Sequence, residues 1–221
     1  AVAVLIFLKE PQREEKAASG QEQTAVKTKL SGWVWVFAIM QVIMTGTVYP
    51  LLSGMSTIFM THGIGTATLA GTFLSLYSIG ATVGGLMLSP VQKVLKNNTF
   101  VVAMFTEAAM MLVNVFFPFA IPVAIATFIC GVAFCIGLVS LQVTNAQIVS
   151  PSRMAFASTL LVAANMLGVY ISNYFINISD ALFHLACDID SSNLCCAIVW
   201  IAMGLFMLFS RGALERSKLN Q

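Results

Sequence analysis

Six long apolar stretches constrain the fold of this chain more than any other feature. They cover residues 33–59, 65–89, 100–117, 121–141, 155–178 and 194–209. Crossing about 30 Å of hydrocarbon takes roughly 20 residues of α-helix, and only the last stretch is clearly shorter than that. Such stretches must be helical in lipid, because lipid offers no partner for an unpaired backbone amide. The sequence therefore predicts an all-α, polytopic membrane protein, a bundle of six transmembrane helices.

Composition leads to the same class of protein. Apolar residues make up 58% of the chain and charged residues only 9%, whereas an average soluble domain is about 25% charged. So few charges cannot cover the surface of a soluble domain of 221 residues, so the lipid bilayer is the expected partner. The net charge of +2 provides no basic field, and no nucleic-acid partner is expected.

The basic residues predict the orientation of the six spans. When the spans are drawn as above, all eleven Lys and Arg residues fall on one side of the membrane: Lys9, Arg13, Lys16, Lys27, Lys29, Lys93, Lys96, Arg153, Arg211, Arg216 and Lys218. The positive-inside rule assigns that side to the cytoplasm. The opposite side carries His62, His184, Asp180, Asp188 and Asp190.

The regions outside the spans differ in character. Residues 1–8 are apolar but too short to cross a bilayer, and we expect them to be the end of a preceding transmembrane helix, which would make the chain part of a longer protein. Residues 9–32 are polar and mixed in charge, as in a cytoplasmic linker, with a flexible tether favoured over an amphipathic surface helix. Residues 33–210 form the six-helix transmembrane domain, and 211–221 a cytoplasmic C-terminal tail.

Two short segments resemble parts of a known family, as does the order of helix end, basic linker, six spans and basic tail. The segment Gly85–Val94 is similar to the loop signature G-x-x-x-D-R-x-G-R-R of the major facilitator superfamily (MFS). Gly85 and Lys93 match it, whereas Ser89, Pro90 and Gln92 replace the acid, the arginine and the second glycine, so no gating role is carried over to Ser89. The segment Ser150–Ser158 is similar to the family's turn between helices ten and eleven.

This resemblance implies the C-terminal six-helix half of an MFS transporter, built from two inverted three-helix repeats. The implied function is that of a secondary active transporter, without a cofactor, that moves a small-molecule substrate across the cell membrane by alternating access. Its partner would be the N-terminal six-helix half of the same transporter. The alternative is an independent six-span channel or a half-size transporter acting as a homodimer. An enzyme is not expected, because the chain has neither HExxH nor a pair of aspartates within its spans.

Polar residues within two spans are the predicted substrate-binding residues. Gln41, Thr45 and Tyr49 follow one another at i, i+4 and i+8 on the first span. The fifth span carries a second set, Asn165, Tyr170 and Asn173. The resemblance places these spans at helices seven and eleven, which contact the central cavity in the family. The alternative role for each residue is hydrogen bonding between helices.

Glu107 is the only ionisable side chain inside a predicted span, and it is the proton-coupling candidate. A charge at mid-bilayer costs at least about 2.5–3.5 kcal/mol, so the alternative is a neutral or hydrogen-bonded structural glutamate.

The five cysteines lack the spacing of metal ligands, and no metal is expected. Cys187 could form a disulfide with Cys195 or Cys196, or remain a free thiol.

The predicted orientation can be tested by thiol labelling. We expect Lys93→Cys and Arg211→Cys to react with a membrane-impermeant thiol reagent added from the same side, since both flank spans at the basic side. His184→Cys should react only from the other side. The measurement is labelling in sealed vesicles of known orientation, relative to the unsubstituted chain. Labelling of Lys93→Cys and Arg211→Cys from opposite sides would contradict the six-span topology.

Overall fold

A computed structural model describes residues 31–185 and 187–219, without the side chains of residues 97, 152 and 216–219. The described chain contains no β-strand, and its long helices are α1 (Gly32–Thr61), α2 (Ala67–Leu95), α3 (Thr99–Phe116), α4 (Ala120–Gln147), α5 (Met154–Phe183) and α6 (Asp188–Phe209). A short helix, α7 (Arg211–Leu219), follows. All six long helices are long and apolar enough to cross a membrane, which confirms the predicted all-α, six-helix membrane bundle. The predicted helix end at residues 1–8 and linker residues 9–30 lie outside the described residues.

Four helices extend five or six residues beyond the predicted spans: α2, α4, α5 and α6. α2 continues through Pro90 to Leu95, so the proline lies inside the helix rather than in a loop. α6 begins at Asp188, six residues before the predicted start, because the first turn of a helix favours acidic side chains such as Asp188 and Asp190. The link between α5 and α6 is consequently short. α5 ends where His184 adopts a left-handed backbone conformation with φ 45°.

The most extensive contacts join a helix of the first three to a helix of the last three. α2 packs mainly on α4 and α1 mainly on α5, while α3 contacts both α4 and α6, and α6 also contacts α1. Suppose that α1 is exchanged with α4, α2 with α5, and α3 with α6. The α2–α4 pair then takes the place of the α5–α1 pair, and the α3–α4 pair takes the place of the α6–α1 pair. Each set has three spans, so the second set crosses the membrane in the opposite direction. The strongest contacts therefore follow the pattern of two inverted three-helix repeats, although α5 packs well on α6 whereas α2 and α3 barely touch.

Glycines allow the two dominant helix pairs to approach closely. Between α2 and α4, a methyl group on Gly80 would collide with the carbonyl oxygen of Phe128, and one on Gly131 with that of Tyr77. Lipid tails are as apolar as the side chains, so helices in a membrane associate through such close van der Waals packing. The α2–α4 pair therefore depends on the absence of side chains at Gly80 and Gly131.

The symmetry-related pair, α1 and α5, uses the same means. A methyl group built on Gly168 would lie 2.6 Å from the carbonyl oxygen of Val42. One built on Gly46 would lie 3.2 Å from the carbonyl oxygen of Gly168 itself. Gly46 and Gly168 thus mark the point where the two backbones approach most closely, and larger residues there would separate the helices.

Substitution of Gly80 tests this packing, with Gly71 on the same helix as a matched control. Gly80→Ala places a methyl group against the backbone of α4, and we expect a cost of about 1–3 kcal/mol and a lower thermal midpoint of unfolding in detergent. A side chain at Gly71 meets no atom within 4 Å, so Gly71→Ala should be neutral or stabilising by up to about 1 kcal/mol. Scanning fluorimetry of the two variants measures the difference. Equal midpoints would contradict the close α2–α4 approach.

Candidate functional site

The predicted stripe on α1 runs from the interior of the bundle to its surface. Gln41 and Thr45 are buried, and the Gln41 side-chain amide donates to the Thr45 hydroxyl at 3.4 Å. Tyr49, one turn further on, is 39% exposed. The structure thus brings Gln41 and Thr45 together inside the bundle and leaves Tyr49 at the surface.

The predicted residues on α5 are also divided. Asn165 is half-buried, whereas Tyr170 and Asn173 are exposed. Among the described residues, no hydrogen bond joins this set to the stripe on α1. Substrate binding by these six residues therefore remains a prediction, with Tyr49, Tyr170 and Asn173 at the surface of this chain, Asn165 half-buried, and Gln41 and Thr45 inside it.

A polar face runs along α2 and is not covered by the described residues. Its exposed hydroxyls recur every seven residues on one side of the helix: Thr68, Ser75, Thr82 and Ser89. Several bond to carbonyls of their own helix, as Ser75 does to Gly71 at 3.2 Å and Thr82 to Ser78 at 3.0 Å. This local bonding makes the hydroxyls tolerable without a partner helix, but it does not make the face apolar.

A second polar face lies on α5, opposite the side that packs on α1. It is made by exposed hydroxyl, phenol and amide side chains: Thr159, Tyr170, Asn173 and Asn177. Exposed amides in hydrocarbon lose hydrogen bonds that water or another protein would provide. The face on α5 therefore requires water or a further protein surface, and lipid is a poor environment for it.

The two helices that carry the polar faces, α2 and α5, have the same two packing partners. α2 and α5 each pack against α1 and α4 but make little contact with each other. They are also the two least buried of the six spans. α2 and α5 thus flank a side of the bundle whose floor is formed by α1 and α4, and we take this side, with its two polar faces, as the candidate functional site.

Glu107 lies away from that side, in the core. It is completely buried on α3, within range of electrostatic interaction with the Tyr77 hydroxyl on α2 and the Cys130 and Cys196 thiols on α4 and α6. Among the described residues, neither carboxyl oxygen has a hydrogen-bond partner. A charge in this position would be costly, so the neutral acid fits the site best. Both roles predicted for Glu107, proton coupling and a neutral residue of the core, stay predictions.

A buried hydrogen bond near this carboxyl was not predicted from the sequence. The Trp200 indole nitrogen on α6 donates to the Thr47 hydroxyl on α1 at 2.7 Å, and both side chains are buried. The Thr47 hydroxyl in turn donates to the carbonyl of Ile43 at 2.8 Å. The only signal in the sequence was a tryptophan in mid-span, since an indole N–H in the core usually has a partner.

The end of the bundle opposite the basic residues, here called the acidic end, holds further long-range polar contacts between α1, α5 and α6. His62, at the end of α1, pairs with Asp190 in the first turn of α6, with Nε2 and Oδ2 2.5 Å apart. The hydroxyls of Ser179 on α5 and Ser192 on α6 are 2.7 Å apart. α6 is thus joined to α1 and α5 at this end.

The cysteines do not form the disulfide that the sequence left open. All five are free, and Cys187 is buried at the start of α6, where burial raises the pKa of its thiol. Cys195 lies eight residues further along the same helix, about 12 Å away at 1.5 Å per residue. That separation exceeds the range of a disulfide, so the free-thiol alternative holds in this structure. In the described part of the chain, no group of His, Cys, Asp or Glu could hold a metal ion.

Comparison with protein-family models, with curated proteins and with solved structures finds no match for this chain. The described residues themselves define a multi-pass helical membrane protein with an apolar core that holds a few buried polar groups, an acidic end joined by polar contacts, and two uncovered polar faces.

A double-mutant cycle tests the pair at the acidic end. His62→Ala and Asp190→Asn each remove one partner of a partly buried contact, so each should lower the thermal midpoint of unfolding. The double variant should be less destabilised than the sum, with a coupling on the order of 1–3 kcal/mol. The same cycle with His184→Ala, an exposed histidine at the same end, should show no coupling. Additive effects of His62→Ala and Asp190→Asn would contradict the contact.

Proposed function

We propose that this chain is the C-terminal six-helix half of a transporter of the MFS type, which moves a small solute by alternating access. The observation that carries the proposal is the pair of uncovered polar faces on α2 and α5. Exposed side chains such as Asn173 and Asn177 are poorly suited to lipid and well suited to a water-filled path or to a second helical bundle.

The symmetry of the packing supports the same function. α2 and α5 are equivalent when the two three-helix sets are exchanged, so the polar faces occupy corresponding positions in the two sets. Transporters built from inverted repeats bind their substrates near the bilayer midplane, between such elements. In this proposal an N-terminal six-helix half covers the side between α2 and α5, and the solute binds between the halves in the cell membrane, with the linker and the C-terminus in the cytoplasm.

The chemistry of the faces indicates what this half contributes to binding. Residues 67–92 of α2 and 154–179 of α5 contain hydroxyl, amide and phenol groups but no Lys, Arg, Asp or Glu. This half therefore suits a neutral or amphiphilic solute, and counter-charges for a charged solute would come from the other half. Glu107 lies in the core, and the proposal assigns it no contact with the solute.

Cysteine accessibility in the full-length protein, in its native membrane, tests the proposal. We expect Asn173→Cys to react with a membrane-impermeant thiol reagent, because a thiolate forms in water and not in lipid. Leu167→Cys is the matched control, since Leu167 is an exposed apolar residue on the same helix and should remain unreactive. Labelling is measured above the background of the unsubstituted chain.

The pattern of labelling separates the alternatives. Alternating access predicts that Asn173→Cys reacts from one side at a time, and that a transported solute changes that side. Reaction from both sides at once would indicate a channel instead. Disulfide cross-linking between Asn173→Cys residues of two copies would favour the homodimer. If Asn173→Cys is as unreactive as Leu167→Cys, the face is in lipid and the proposal fails.

A further inference from the structure

A cleft opens at the basic end of the bundle, between the last turns of α2 and α4 and the first turn of α3. It has a volume of about 210 Å³, and its polar lining includes Gln92, Lys96, Thr99, Ser140 and Thr144. A smaller recess of about 50 Å³ shares Phe100 and Thr144 with it and is lined by Arg211 on α7. The two cavities adjoin at Phe100 and Thr144, and this pair of cavities, with Lys96 on one side and Arg211 on the other, is here called the groove.

The first turn of α3 forms part of this groove. α3 begins at Thr99, and no side chain at its N-cap, Asn98, caps the first turn. A 3-10 turn, Lys96–Asn98, leads into α3, and the Thr99 backbone N–H and hydroxyl both donate to the carbonyl of Lys96, the hydroxyl at 2.9 Å. The N-terminus of a helix carries partial positive charge, which favours an anion at this position.

Two donors in the groove are independent of the helix terminus. Ser140 is only 5% exposed, lines the cleft, and its hydroxyl has no hydrogen-bond partner among the described residues. The Arg211 Nε, at the other end of the groove, is likewise buried without a partner in the described chain. Buried donors without partners are costly, so both are positioned to donate to a ligand that carries several acceptor oxygens.

Lys96 adds a cation in an unusual backbone conformation. It is exposed at the end of α2, with φ 50°, in the left-handed region that non-glycine residues rarely adopt. Such conformations persist where the surrounding structure fixes them, and they are found at ligand-binding positions. Glu215 also lines the recess beside Arg211, so among the described side chains the groove is lined by two cations and one carboxylate.

We propose that this groove binds the phosphate group of an acidic phospholipid from the adjoining leaflet. The groove lies at the ends of membrane-spanning helices, where lipid headgroups are found, and basic clefts between such helices are suited to anionic headgroups. Its apolar lining, which includes Phe100, Val143 and Met207, would contact the upper part of an acyl chain. A lipid therefore matches both the donors and the apolar walls, whereas free phosphate matches only the donors.

Thermal stabilisation of the purified full chain by short-chain lipids tests the proposal. We expect dioctanoyl phosphatidylglycerol to raise the unfolding midpoint more than dioctanoyl phosphatidylcholine does at equal concentration. Lys96→Gln and Ser140→Ala should each weaken the apparent affinity for phosphatidylglycerol, by about tenfold for the lysine. Lys93→Gln is the matched control, because Lys93 is exposed on the same last turn but does not line the groove, and its effect should be less than about twofold.

The outcomes distinguish a lipid from a soluble anion. If inorganic phosphate stabilises the chain as well as phosphatidylglycerol does, and Lys96→Gln removes both effects, the ligand is soluble phosphate and the lipid assignment is wrong. If Lys96→Gln and Lys93→Gln weaken phosphatidylglycerol binding equally, the attraction is a diffuse charge effect and the site is refuted. If Lys96→Gln, Ser140→Ala and Arg211→Gln all fold and none of them changes the affinity for phosphatidylglycerol, the groove is not the binding site.

Discussion

Close backbone approach is the constraint on which this bundle depends. Helices in lipid gain little from hiding apolar side chains, because the surrounding tails are apolar too. What holds α2 to α4 and α1 to α5 is contact at short range, made possible where Gly80, Gly131, Gly46 and Gly168 lack side chains. The remaining helices, α3 and α6, then pack on these two pairs and enclose the core around Trp200.

Polar groups are distributed in three distinct environments. In the core, Thr47 and Trp200 satisfy each other across two helices, while the Glu107 carboxyl is enclosed without a partner among the described residues. At the acidic end, the contact between His62 and Asp190 fixes α6 against α1. On α2 and α5 the polar groups are exposed, and this third environment distinguishes the chain from a simple lipid-embedded bundle.

The number of long helices followed from the sequence, because it depends on local hydropathy. The ends of the helices were harder to predict from the sequence. Asp188 and Asp190 looked like loop residues, yet acidic side chains are favourable in the first turn of a helix. Pro90 looked like a loop residue as well, yet α2 continues through it.

The candidate site was only partly predictable. Helical spacing showed that Gln41, Thr45 and Tyr49 share one face, but not that the first two are buried and the third is exposed. The spacing on α5 likewise identified Asn173 without indicating what lies opposite. Contacts such as His62 with Asp190 join residues 128 positions apart, and no local pattern in a single sequence carries that information.

The exchange of partners between the two three-helix sets has a consequence for biogenesis. The main partners of α1 and α2 are α5 and α4, which are synthesised later, and α3 also packs on helices of the second set. The first three helices therefore leave the ribosome without most of their final neighbours. They must remain separate in the bilayer, or be held at the insertion machinery, until the later helices arrive, and a chain truncated after α3 would lack most of the surfaces that hold it together.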